Sequence, residues 1–141
     1  MRAYEVQDIV VARVEALTVD FAATASDRLR YDPDQTDDEV RPDGTFLLEQ
    51  GQLAPSTTIV PGTMRMALRI RAFFVDGPEV GKRIVSVGER ILAMLPAITG
   101  EDHPDIMGVA AVGEWIPQQS RRVPHQVVCT VDFIVSYRLT F

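Results

Sequence analysis

Two stretches of this 141-residue chain gather acidic side chains closely enough to interest a metal ion. Glu101, Asp102, His103 and Asp105 form one cluster, and Asp32 and Asp34 fall at the first and third positions of a calcium-loop spacing. The first group is nearly consecutive, with no scaffold to fix a ligand geometry. In the second, Asp37 stands where the sharp turn needs glycine, and Asp43 where a bidentate glutamate is needed. Both read as solvated loops, and no metal is expected. The single cysteine, Cys129, excludes an intramolecular disulfide and any Cys-rich zinc module. It lies on an apolar strand face, where a free thiol acts as a small buried hydrophobe. There is no glycine-rich phosphate loop and no nucleophile elbow. Neither catalysis nor a cofactor is expected.

The basic residues are more informative. Arg65, Arg69 and Arg71 share one face of an alternating stretch, where like charges repel unless something answers them. One reading places counter-charges on neighbouring strands, with Asp132 and Glu114 as candidates. The other makes the face an electropositive surface for an acidic partner or a phosphate backbone. Arg121 and Arg122, beside Gln118 and Gln119, form a second basic spot with the same two readings. They lack the interleaved aromatics that single-strand nucleic-acid binding favours. A net charge of −6 argues against nucleic-acid binding through the whole surface.

These side chains need elements to position them. Residues 4–17 place Val6, Val10, Val14 and Leu17 at helical spacing, which predicts an amphipathic first helix. Residues 22–45 form an acidic loop insertion: between 27 and 43, seven acidic residues face three arginines. Residues 45–51 predict a short strand, and 63–75 a long one that alternates Met64, Met66, Leu68, Ile70 and Ala72 with the arginines. Residues 76–96 carry strong helix signals, with Asp76 as cap, Pro78 in the first turn and a stripe of Val80, Ile84, Val87, Ile91 and Leu95. Gly81 and Gly88 would allow close backbone approach on that helix. Residues 106–116 predict a third long strand, and 117–124 a polar connection. The expected fold is a single α+β domain over 1–141: an antiparallel four-stranded sheet with two helices on one face, in the order α-β-β-α-β-β.

The last stretch, "HQVVCTVDFIVSYRLTF", is the longest strand signal. Val127, Cys129, Val131, Phe133, Val135, Tyr137, Leu139 and Phe141 form its apolar face. Unbroken, those residues would extend on the order of 50 Å, beyond the reach of two short helices. An uncovered apolar strand is an aggregation hazard, so the pattern points to completion by another subunit through this face and edge. No run of apolar residues is long enough for a membrane span, and no secretory signal is expected.

In element order, size and ending the chain resembles the tail terminator, or tail-completion, proteins of long-tailed bacteriophages. The likeness is carried by "DIVVARVEAL", "TMRMALRIRAFFV", "GKRIVSVGERILAMLP" and "VCTVDFIVSYRLTF", with its Asp132-Phe133 step. The acidic loop has no counterpart in the pattern. The resemblance implies a homo-hexameric ring that caps the tail tube and joins tail to head, located in the virion neck and assembled in the bacterial cytoplasm. It implies tail-tube and neck connector proteins as partners, DNA passing transiently through a channel, and no membrane. Under it, Arg65, Arg69, Arg71, Arg121 and Arg122 face the channel or a partner. Two alternatives remain open at this level: another neck or head-closure connector, and a small metal-binding α+β enzyme or ligand-binding domain.

Overall fold

A computed structural model describes residues 1–17, 28–33, 41–56, 62–98 and 100–141. The elements run α1 (Ala3–Glu15), β1 (Arg30–Tyr31), β2 (Thr45–Pro55), β3 (Thr63–Val75), α2 (Val80–Met94), a 3-10 turn (Leu95–Ala97), β4 (Ile106–Ala111), β5 (Ile116–Gln119) and β6 (Gln126–Arg138). Among the described residues the fold is α+β with two α-helices, as the residue periodicities predict. Among the described residues the sheet differs from the expectation of four antiparallel strands: it has six, ordered β1-β2-β3-β6-β4, and β5 also pairs β6, so the order is α-β-β-β-α-β-β-β rather than α-β-β-α-β-β. It is mixed, because the short β1 lies parallel to β2 while every other pair is antiparallel.

Alternation decides which side of each strand is buried. In the β3–β6 ladder, Met66 faces Val135, Leu68 faces Phe133, Ile70 faces Val131, Ala72 faces Cys129 and Phe74 faces Val127. These pairs line one side of the sheet and join Val6, Val10 and Val14 of α1 with Ile84, Val87 and Ile91 of α2 in a single core. Leu29, Leu95, Ile98 and Ile106 belong to that core too. The opposite side of β3 carries Arg65, Ala67, Arg69, Arg71 and Phe73.

The final strand corrects the expectation drawn from it. β3 pairs along the whole of β6 on one side, and β4 and β5 lie end to end along the other. β6 is therefore central, and its edge is not free for another subunit. Val127, Cys129, Val131, Phe133, Val135 and Tyr137 are buried in the chain's own core, so these six are not the subunit interface. The physical reason is coverage: Leu29 and the Leu95–Ile98 turn extend the roof that two helices alone would make too short. Leu139 is partly buried against the same core, and Phe141 is 98% exposed.

Three smaller expectations shift. The stretch 106–116 is not one strand, because the chain leaves the ladder at 112–115 to turn Trp115 inward. Its Nε1 donates to the Ile84 carbonyl at 3.0 Å. α2 begins at Val80, not Asp76, and no side chain caps it. The Asp76 N–H instead donates to the His125 carbonyl at 2.6 Å, which commits that residue to the strand ends. Part of the 22–45 segment is built into the fold: Leu29 and Arg41 are buried, and Arg30–Tyr31 forms β1. Residues 22–27 and 34–40 of that segment lie outside the described residues. No helix among the described residues is long and apolar enough to cross a membrane.

Candidate functional site

The side of the sheet away from the helices carries the arginines. Arg69 stands directly opposite Asp132 across the β3–β6 ladder. Its Nε donates to Asp132 Oδ1 at 2.7 Å and its Nη2 to Oδ2 at 3.2 Å, a two-pronged charge-assisted pair. The hydrogen bond from Arg69 holds the Asp132 carboxyl below its ordinary range, against a smaller opposing effect of desolvation. The same bond raises Arg69. Arg71 Nη1 donates to Glu49 Oε1 of β2 at 2.8 Å. The sequence therefore names one counter-charge, Asp132, and misses the other. Glu114 sits exposed in the 112–115 connection, whereas Glu49 reaches Arg71 because β2 and β3 pair.

Arg121 and Arg122 follow β5 in a tight loop. Ser120 anchors it: its N–H donates to the Gln126 carbonyl at 2.8 Å, and its Oγ accepts from the Val123 N–H at 3.1 Å. Val123 is buried, and His125 adopts a positive φ of 62° as the chain enters β6. The loop thereby brings Arg121 and Arg122 to the same groove as Arg69 and Arg71. This groove has a volume of about 870 Å³, with Gln118, Ser120 and Thr130 adding amide and hydroxyl groups. Arg65 stays apart, lining a separate hollow of about 510 Å³ with Ala110 and Ser136. Between them lies a third hollow of about 390 Å³, floored by Ala67 and Ile134 and rimmed by Val112, Arg69 and Asp132. Four of the five arginines thus converge, and three hollows share one sheet face that no helix covers among the described residues.

Two further residues support the groove without having stood out in sequence. Phe73 is buried on the arginine face, with the Arg41 guanidinium 4.4 Å and the Arg71 guanidinium 5.9 Å from its ring centroid. Such cation–π stacking favours a buried guanidinium. Arg41 is also tied through its backbone N–H to Gln126 Oε1 at 3.0 Å. An apolar residue on the polar face of β3 was the available signal for Phe73. For Arg41, within an acidic stretch, there was none.

The acidic clusters take other roles. Asp102 accepts from Arg13 Nη2 at 3.0 Å, and Asp105 lies 3.5 Å from the amino group of Met1. Asp43 pairs with Arg83 and accepts from the Val75 N–H at 2.9 Å. Asp34, Asp37, Asp38 and Glu39 lie outside the described residues. Among the described residues, no three His, Cys, Asp or Glu side chains are arranged to hold a metal ion. Cys129 is buried, and desolvation pushes its thiol up to about 12.

No protein-family model and no curated protein matches this chain.

Proposed function

We propose that this chain is a structural subunit of a phage virion that assembles into a ring at the end of the tail tube and joins tail to head. One observation supports this reading above the others: the sheet is sealed on one side by the chain's own helices and, among the described residues, bare on the other. The bare side combines an arginine-lined groove with apolar hollows around Ala67, Ile134 and Ala110. Exposed surfaces that mix apolar area with ordered charge mark sites of association. The resemblance of the sequence to tail terminators adds to it. In this reading Arg65, Arg69, Arg71, Arg121 and Arg122 face a neighbouring subunit, a tail or neck protein, or the DNA path, and the role is structural rather than catalytic.

Native mass spectrometry tests the proposal. A species of six times the 15.7 kDa chain mass, which also binds the ends of purified tail tubes, is the expected result. A chain that stays monomeric throughout the micromolar range and ignores tail tubes would overturn it. Binding to a portal or adaptor instead of the tube would favour the head-closure alternative.

A further inference from the structure

We propose that the Phe141 ring of one copy seats in the hollow floored by Ala67 and Ile134 on the sheet of the next. This inference rests on the ring reading and names one contact that would join neighbouring subunits.

Of the eight residues expected at the subunit interface, Phe141 is the one the fold leaves outside its core altogether. At 98% exposure its ring fills no hollow of its own chain. It belongs to a small patch. The Arg2 guanidinium lies 5.7 Å from the Phe141 ring centroid and 5.5 Å from that of Tyr4, which is 57% exposed. One cation thus gathers two exposed rings at the surface. Tyrosine, phenylalanine and arginine are the residue types enriched in protein interfaces.

The hollow offers a matching seat, and small side chains create it. Ile134 stands between Ala67 of β3 and Ala110 of β4. Beside Ala67 lies Gly51, where an added Cβ would come 3.3 Å from the Ala67 methyl. Val112, 59% exposed, forms part of the rim. The hollow holds about 390 Å³ and lies open among the described residues. A cavity of about 150 Å³ suffices for a benzene ring, so one aromatic side chain fits. Seating it would take apolar surface of both copies out of water. Arg2 would arrive at the rim with the ring, near the carboxylates of Glu49 and Asp132. Each of these already pairs with an arginine of its own sheet, and a carboxylate has about four acceptor sites, enough for a second guanidinium.

Ring and hollow occupy different places along β6. Ile134 is level with Ala67 within the ladder, whereas Phe141 comes three residues after Arg138, the last residue paired with β3. The contact therefore joins unlike surfaces, and repeated contacts of that kind close into a ring when their rotation divides the circle.

Two variants and a crosslink test the contact. Phe141→Ala removes the ring, and Val112→Lys sets a charge on the rim, both at exposed positions. Thermal melting by circular dichroism checks folding, and native mass spectrometry with sedimentation reads assembly. Each variant should assemble about tenfold or more weakly than the unaltered protein. With p-benzoyl-phenylalanine in place of Phe141, irradiation should link two copies, with the adduct mapped to residues 49–51, 67, 112 or 134. That readout decides the matter should either variant fail to fold. Unaltered protein that assembles while both variants assemble equally well would overturn this inference and leave the ring reading standing. So would an adduct confined to other segments. Loss of tail-tube binding in Phe141→Ala, with assembly unaffected, would assign the patch to the tube and overturn the inference. A monomeric unaltered protein would overturn the inference and the ring reading together.

Discussion

Cys129 shows burial setting the chemistry of one residue. Its apolar neighbours on β3 and β6 leave nothing to solvate a thiolate, so its thiol rises to about 12 from an ordinary value of about 8.5. Because the folded value is the higher one, its contribution to stability is complete below about pH 8.5 and is lost as pH rises toward 12. The free energy of unfolding should therefore fall across that alkaline window, with a shallower slope in Cys129→Ala, as read by urea titrations at several pH values. Alkylation of the native thiol at pH 8 should be on the order of a hundredfold slower than in denaturant. The Arg69–Asp132 pair differs: both side chains are about half exposed, at 49% and 52%. Such a pair contributes roughly 0–1 kcal/mol, so its weight lies in orienting Arg69 rather than in stability. Asp132 was identifiable from sequence because it alternates in step with the apolar face of its own strand. Glu49 was not, because its relation to Arg71 depends on how β2 and β3 register.

At the level of elements, the meeting of α2 with the 112–115 connection is the most sharply defined contact. A Cβ added at Gly88 would collide with Trp115 Cδ1, against a ring pinned by its bond to the Ile84 carbonyl. Gly88→Ala should destabilise the protein by about 1–3 kcal/mol in chemical denaturation. Gly81→Ala on the same helix meets open space and should be neutral, or stabilising by up to about 1 kcal/mol. Two glycines that look alike in sequence thus have opposite expectations. The same contact explains why 106–116 reads as one strand and folds as two. Small alternating side chains favour extension throughout, but the tryptophan finds more burial against α2 than in the ladder. A strand was legible there, while the place it breaks depended on a helix far along the chain.

For the molecule as a whole, β6 is the organising element. It pairs with three other strands and supplies six core residues, from Val127 to Tyr137. Its central amides, Val131–Val135, should exchange hydrogen only through global unfolding, whereas the amides of Gly51–Ala54, an exposed stretch beyond the two residues paired by β1, should exchange orders of magnitude faster. Hydrogen-exchange mass spectrometry reads both, and fast exchange in β6 would contradict its central position.

Local pattern alone settled the helices α1 and α2, the strands β3 and β6, and which side of each strand is apolar, because period 3.6 and period 2 are written in neighbouring residues. It did not settle where β6 sits in the sheet or what covers it. Strand order depends on pairings between segments far apart in the chain, and a two-residue strand such as β1 has too little pattern to announce itself. Nor could spacing unite Arg69 and Arg71 with Arg121 and Arg122. About fifty residues separate the two pairs, and they meet because β3 and β5 flank the same central strand. The charge of the groove is a property of the residues, while its existence as one groove is a property of the fold.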